Sequence, residues 1–239
     1  MRLSKVLKFW NRLLKNNSKY TIIERHVNEQ RFFMKRFVKS SSMILVLMLI
    51  VSLCGCGSNV GGKEYEQTTI SINKDGSVTG VEVDKFESSQ YELDELRAMT
   101  EDAIKVYNPS GEKKVTLQSL TQKEKQVRMV MHYQSVQDYV DFNMPLTHSI
   151  NLFYGTIEEA KKAGYLFKEA FISVKDGSTL DRTEIGALGD HKVVITSERV
   201  RLSVPSKIVY TSSGVEVLEN KKEADLVGTE EELFYIVLK

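Results

Sequence analysis

Apolar and polar residues alternate in short runs after residue 64, which is typical of β-strands. Residues 69–73 and 77–84 flank the dipeptide Asp75-Gly76, in which the glycine supplies the positive φ of a tight turn. Residues 115–120 and 126–133 form a second such pair across a polar loop. The pattern therefore predicts two antiparallel hairpins.

The last third of the chain returns to strand-like runs. Residues 193–195 and 233–238 are apolar at consecutive positions, which indicates central strands covered on both faces. The strands predicted in this part are residues 171–175, 192–196, 200–204, 207–211, 215–218 and 233–238.

Helical spacing of apolar residues occurs in three segments. The longest begins after a capping-box pattern at residues 89–92 and is stopped by Asn108-Pro109. Two short helices are predicted, residues 135–143, ended by Pro145, and a segment that opens at Thr156. Together with the strands, these segments predict an α+β fold, with a mostly antiparallel sheet built from hairpins and with one longer and two short helices.

Charge divides the chain into two parts. Residues 1–55 hold 11 of the 33 Lys and Arg residues but only two acidic residues, whereas residues 56–239 carry 22 basic and 30 acidic side chains, net −8. An acidic surface repels phosphate, so nucleic-acid binding is not expected. Residues 64–239 contain no cysteine, which leaves neither a disulfide nor a thiolate metal site, and their length suits a single domain.

The longest apolar run lies in the first quarter of the chain. No charged residue occurs between Lys39 and Lys63, and residues 43–53 form an 11-residue apolar core behind Lys35 and Arg36. This is the layout of a signal peptide, because a membrane-spanning helix needs about 20 apolar residues. An uncleaved membrane anchor and a plain secretory signal are the alternatives.

The end of this run resembles the lipobox of bacterial lipoproteins. In Leu53-Cys54-Gly55-Cys56 a leucine stands at −3, a small residue at −1 and a cysteine at +1. The resemblance implies that residues 34–55 are a cleaved lipoprotein signal peptide and that Cys56 carries the lipid as the mature N-terminus. Cys54 fits less well, since Leu53 would then occupy the small −1 position. The glycine-rich residues 56–63 would form a flexible tether.

Residues 1–33 precede a signal that is complete from Met34 onwards. We expect them to be a mis-assigned or dispensable N-terminal extension. The alternative is a basic amphipathic helix on a membrane surface, in which Trp10 and other apolar residues are interspersed with lysines and arginines.

The densest cluster of possible metal ligands or acid-base groups contains His132, Asp138, Asp141 and His148. The spacing of six, three and seven residues matches no metal motif and crosses a predicted strand, helix and loop. The sequence therefore predicts a partly exposed histidine and helix-surface aspartates here, with no metal site and no catalytic site.

Other motifs are equally incomplete. Asp176, Asp181 and Glu184 lie within nine residues, but without the alternating acidic positions of a calcium loop. The Gly186-Ala-Leu-Gly189 sequence lacks the third glycine of a dinucleotide fingerprint, and no serine has the flanks of Gly-x-Ser-x-Gly. No cofactor is predicted. The tyrosines predicted to lie in the core or at its edge are Tyr107, Tyr139 and Tyr235.

These observations favour a membrane-anchored extracytoplasmic lipoprotein with a non-enzymatic binding or structural role in the cell envelope. In its Lys- and Glu-rich, Pro-poor composition, the mature part resembles uncharacterised Gram-positive lipoproteins. The expected partners are the membrane, through the N-terminal lipid, and an unidentified envelope protein or ligand. The alternative is a cell-wall or peptide-processing hydrolase with a His/carboxylate site. A solute-binding component of a transporter is disfavoured, because two lobes normally need a longer chain.

Overall fold

Two β-sheets and four helices make up the part of the chain that the structure, a computed structural model, describes. That part comprises residues 66–85, 92–108, 111–147, 150–228 and 233–239, which belong to one unit. The helices are α1 (Leu93–Tyr107), α2 (Val136–Thr147), α3 (Ile157–Lys162) and α4 (Arg182–Ala187). The strands are β1 (Thr69–Ile72), β2 (Val78–Lys85), β3 (Val115–Lys123), β4 (Gln126–Tyr133), β5 (Leu152–Thr156), β6 (Phe171–Ser173), β7 (Thr179–Leu180), β8 (Lys192–Thr196), β9 (Arg201–Ser203), β10 (Ile208–Thr211), β11 (Val215–Val217), β12 (Glu223–Leu226) and β13 (Phe234–Leu238). The prediction of an α+β fold dominated by antiparallel strands is confirmed.

The larger sheet has seven strands in the order β11-β12-β9-β1-β2-β4-β3. All neighbours in it are antiparallel except β1 and β9, which run parallel. Both predicted hairpins are present, β1 with β2 and β3 with β4. The loop predicted at residues 121–125 is shorter than expected, because β3 continues to Lys123 and only Glu124 and Lys125 form the turn.

The smaller sheet has six strands in the order β5-β8-β13-β10-β6-β7, all antiparallel to their neighbours. Strands β8 and β13 lie second and third in that order, as their unbroken apolar sequence predicted. In β8 the four residues from Val193 to Thr196 are all buried, and in β13 every residue except Tyr235 is buried. Both faces of these two strands are therefore covered.

Helices α1 and α2 cover one face of the larger sheet near β3 and β4. Leu96 and Ala103 are the buried residues of α1, and the hydroxyl of Thr100 donates to Sδ of Met129 at 3.8 Å. The ring of Phe142 in α2 meets that of Tyr133 edge-on, with centroids 5.9 Å apart. The face of β4 that carries Met129 and Tyr133 is therefore the one that packs against the helices.

Two predicted helix boundaries are wrong. Glu92 has extended backbone angles and is the N-cap of α1, so it does not occupy the first turn that a capping box at residues 89–92 requires. Helix α2 passes Pro145 and ends at Thr147. The proline has no N–H to donate to the carbonyl of residue 141, and the helix continues for two residues beyond it.

The sequence pattern missed α4 and strands β5, β7 and β12. Helix α4 begins with a capping box, in which the Asp181 carboxylate accepts from the backbone N–H of Thr183 and of Glu184 while Glu184 accepts from the N–H of Asp181. The predicted signal peptide at 34–55, the tether at 56–63 and the extension at 1–33 lie outside the described residues.

Candidate functional site

A cleft with a volume of about 430 Å³ opens beside the smaller sheet, where the chain runs from α3 to β6. It lies at the edge of a hydrophobic cluster to which α3 contributes Ile157 and Ala160 and α4 contributes Ile185. The lining residues are Gly164, Tyr165, Leu166, Phe167, Lys168, Glu169, Phe171, Leu233 and Tyr235. We refer to this site as the aromatic cleft.

Three aromatic rings form the base of the aromatic cleft. Phe167 and Phe171 are nearly parallel, with centroids 5.9 Å apart, and both are buried. The ring of Tyr235 lies 5.2 Å from Phe167 and meets Phe171 edge-on at 6.0 Å. Mutual contact of this kind holds each ring in a fixed orientation, so the apolar base is preformed.

The end of α3 directs the chain onto the cleft. The N–H of Gly164 donates to the carbonyl of Lys161, and the N–H of Tyr165 donates to that of Ala160, each at 3.0 Å. This is the Schellman arrangement, which requires a left-handed residue, and Gly164 has φ +91°. The glycine that ends the helix therefore also sets the course of residues 165–169.

The two tyrosines of the cleft are oriented by their hydroxyl groups. Tyr235 donates to the carbonyl of Leu166 at 3.0 Å, and Tyr165 donates to Oδ1 of Asn151 at 2.8 Å. Burial raises the pKa of Tyr235 above its ordinary value, and the nearby Tyr165 and Glu169 add to this effect. The Tyr235 phenol is therefore neutral at physiological pH and keeps its hydrogen bond.

The mouth of the cleft combines apolar and charged side chains. Leu166 is 58% exposed, and Lys168 and Glu169 are exposed beside it. An apolar base with a few polar groups at its edge is suited to hold a bulky apolar group in one orientation. Of these residues the sequence analysis singled out only Tyr235, which it placed in the core or at its edge, and the structure confirms this.

Two members of the predicted cluster of possible ligands have hydrogen-bond partners of their own. Asp138 accepts hydrogen bonds from the hydroxyls of Ser135 at 2.6 Å and Tyr107 at 3.0 Å, and Asp141 accepts from Gln137 at 2.7 Å. These bonds give both aspartates a structural role in α2. Burial is the main cause that raises the pKa of Tyr107, and the hydrogen bond to Asp138 is the second.

His132 lies on the opposite face of β4 from the buried methionines and is half-buried, with its Nδ1 atom enclosed and without a hydrogen bond. His148 lies outside the described residues. Within the ranges that the structure describes, no three His, Cys, Asp or Glu side chains form a metal-binding group.

The acidic residues around Asp176 also have structural partners. Asp176 accepts from the N–H and the hydroxyl of Ser178 at 3.1 and 2.7 Å, within the turn between β6 and β7. Asp181 and Glu184 form the capping box of α4. These bonds account for the carboxylates as parts of a turn and a helix cap, in line with the sequence interpretation.

Comparison of the chain with protein-family models, curated proteins and solved structures finds no match. No helix in the described ranges combines the length and the hydropathy needed to span a membrane. Cys56, the predicted site of lipid attachment, lies outside those ranges. The aromatic cleft and the lipobox-like sequence are therefore the two features of the chain that bear on its function.

Proposed function

We propose that the chain is a lipid-anchored protein on the extracytoplasmic face of a bacterial cell membrane, where its aromatic cleft binds a bulky apolar group of a ligand or envelope protein. The observation that carries this proposal is the lining of the cleft. Fixed rings form its base, Leu166 is exposed at its mouth, and Lys168 and Glu169 lie on its rim. Such a lining provides binding energy through apolar contact and selectivity through a few polar groups.

The sequence around Cys56 supports the location. Lipidation at Cys56 would leave a mature part whose net charge of −8 disfavours contact with anionic lipid headgroups. A flexible tether of the eight residues 56–63 would span only about 15 Å on average. The lipid and the tether would then hold the aromatic cleft close to the membrane, where envelope proteins are accessible.

The location is tested by metabolic labelling with a fatty acid. Cys56→Ser should abolish labelling and leave an unprocessed precursor, whereas Cys54→Ser, the matched control two positions away, should be labelled and processed normally. If labelling persists in Cys56→Ser but is lost in Cys54→Ser, the lipid is attached to Cys54 and the assignment to Cys56 is wrong.

The cleft is tested with the full chain in lipid nanodiscs, by saturation-transfer NMR with N-acetylphenylalaninamide. We expect transfer to the aromatic protons that is saturable, absent with empty nanodiscs and lost in Leu166→Asp. Val106→Asp is the matched control, because Val106 is 57% exposed on α1 and does not line the cleft. Equal transfer in both variants would show that the cleft is not the binding site.

A further inference from the structure

Beside the aromatic cleft, several backbone groups have no hydrogen-bond partner among the residues that the structure describes. Residues 165–170 belong to neither a helix nor a strand. The backbone N–H of Tyr165 donates to the carbonyl of Ala160. The backbone carbonyl of Leu166 accepts from the hydroxyl of Tyr235. From Phe167 to Glu169, the backbone N–H and C=O groups make no hydrogen bond within the described part of the chain. Such groups can pair with a partner's main chain where the chain is exposed, as it is at Lys168 and Glu169.

At one edge of the larger sheet, by contrast, side chains form hydrogen bonds with backbone groups of the edge strand. On the edge strand β3, the side chain of Asn108 donates to the carbonyl of Val115 at 2.8 Å and accepts from its N–H at 3.1 Å. Arg97 donates to the carbonyl of Leu120 at 3.0 Å. Side chains thus occupy backbone groups that another strand would otherwise reach. Within the described ranges, no side chain bonds to the backbone from Phe167 to Glu169 in this way.

The aromatic cleft and these backbone groups lie on the same five-residue segment. Phe167 contributes its ring to the base of the cleft, and its backbone groups have no partner among the described residues. Exposed Leu166 precedes it, and the opposite charges of Lys168 and Glu169 follow. Adjacent positions therefore offer a pocket for one large side chain and hydrogen bonds for the main chain next to it.

We infer that the aromatic cleft binds an extended polypeptide segment, placing one large apolar side chain over Phe167 and Tyr235 and pairing its main chain with the backbone from Phe167 to Glu169. This inference rests on the proposed binding function and specifies the partner. Main-chain pairing supplies affinity and a side-chain pocket supplies specificity in this mode of recognition. A volume of about 430 Å³ is large enough for an aromatic side chain.

The experiment uses the full chain in lipid nanodiscs and a fluorescent, acetylated and amidated peptide with alternating valine and serine, lysine at both ends and phenylalanine at the centre. Three further probes are a peptide with central alanine, a peptide N-methylated at alternate main-chain nitrogens, and N-acetylphenylalaninamide. Fluorescence polarisation gives the affinity of each peptide, and NMR gives that of the single amino-acid amide.

The expected result is a loss of at least about tenfold in affinity on replacing phenylalanine by alanine, and a similar loss on N-methylation. Leu166→Asp should weaken the parent peptide by about tenfold, and Val106→Asp should leave it within about twofold of wild type. Equal affinity of the N-methylated and parent peptides, or no binding of the parent peptide, would overturn the inference. If N-acetylphenylalaninamide still binds in that case, the proposed cleft function stands and only the peptide assignment fails; if it does not bind, both fail.

Discussion

The two sheets of this protein bury their strands in different ways. In β4 of the larger sheet, Met129 and Met131 are buried beneath the helices, whereas Arg128 and His132 on the opposite face are only half-buried. In β8 of the smaller sheet, Val193 and Val194 are both fully buried although they point to opposite faces. The opposite face of the larger sheet mixes polar residues with the buried Val81 and Val130, and we call it the polar face. One sheet therefore has an apolar face and a mixed face, while the centre of the other has two apolar faces.

The strand registers show how far the polar face extends. Five small or polar residues from five neighbouring strands lie in one row across the larger sheet: Thr116, His132, Thr79, Ser71 and Ser203. The adjacent row on the other face contains Met131, Ile70 and Leu202, each at most 1% exposed. The sequence of an alternating strand thus predicts which of its residues face the core. The sequence of a strand buried on both faces predicts only that the strand is central.

The largest expected effect comes from asparagine substitutions at successive positions of β8 and β4. Val193→Asn and Val194→Asn should each lower the free energy of unfolding by about 3–5 kcal/mol, because each removes apolar burial and leaves an amide unsatisfied. Met131→Asn should have a similar effect, whereas His132→Asn should change stability by no more than about 1 kcal/mol. Urea unfolding of each variant measures these differences.

His132→Asn is the control within this series, because it places the same side chain one residue from Met131. If Val194→Asn were tolerated as well as His132→Asn, the smaller sheet would have a free face and the contrast between the sheets would fail.

A second contrast concerns two glycines with the same backbone conformation. Gly177 has φ +74° in the turn within the smaller sheet, with no atom within 4 Å of an added Cβ. Gly214 has φ +72° where the chain passes from β10 in the smaller sheet to β11 in the larger one. There an added Cβ would overlap the carbonyl oxygen of Val227 and lie 2.9 Å from the ring of Phe234.

Gly177→Ala should therefore cost only the left-handed backbone penalty of about 1–2 kcal/mol. Gly214→Ala adds overpacking and should cost about 3–4 kcal/mol in total. Thermal unfolding of both variants measures the difference. Equal costs would mean that the crossing between the sheets adjusts freely around residue 214.

Much of this fold could be predicted from local sequence. The predicted bounds of β8 and the predicted end of α1 match the structure, because β8 is an unbroken apolar run and Asn108-Pro109 marks the end of the helix. Strand β12, Glu223–Leu226, could not be predicted from its own sequence. It is a strand because β9 and β11 pair with it on either side, and tertiary pairing overrides a weak local preference.

The candidate site was predicted less well, for a physical reason. Phe167 and Tyr235 are far apart in sequence, and each one alone fits a core position. The cleft arises because Gly164 turns the chain so that Phe167 lies against β6 and β13. No spacing rule links a helix-ending glycine to a strand about 70 residues later. The hydrogen-bonding partners of Asp138 were also hidden, since Tyr107 belongs to another helix.

A third prediction concerns the ion pair on the polar face of the larger sheet. The guanidinium of Arg201 binds the Asp225 carboxylate with two hydrogen bonds, at 2.8 and 2.7 Å, between the neighbouring strands β9 and β12. Hydrogen bonding from Arg201 lowers the pKa of Asp225 below its ordinary value of 3.8. The pair therefore stabilises the fold at pH values above the ordinary pKa of 3.8. Its contribution is lost as pH falls through the lowered pKa of Asp225.

Asp225→Asn should cost about 1 kcal/mol at neutral pH, because the pair is bidentate and partly exposed. The wild type and the variant should become equally stable at a pH below the lowered pKa. Glu216→Gln, opposite Asp225 on β11, is the control, and it should change stability by only a few tenths of a kcal/mol. A difference between wild type and Asp225→Asn that persists unchanged in acid would assign the effect to packing instead of charge.

The smallest effect is expected in the two Asp-Gly-Ser turns, which have the same local chemistry in different sheets. The serine hydroxyl donates to the aspartate at 2.7 Å in both, Ser77 to Asp75 and Ser178 to Asp176. These bonds lower the pKa of both carboxyls, that of Asp176 to about 2.

Because each folded-state pKa is depressed, both turns stabilise the fold at pH values above the ordinary pKa of 3.8, and each loses that contribution as pH falls through its own lowered pKa. Carboxyl-carbon NMR titration should place the midpoint of Asp176 near pH 2. Ser178→Ala should raise the midpoint of Asp176 and leave that of Asp75 unchanged, and Ser77→Ala should do the reverse. A midpoint of Asp176 that does not move in Ser178→Ala would mean that the hydroxyl is not the main cause. Since the Asp176 carboxyl is open to solvent, these changes should be visible in the titration long before they affect the melting temperature.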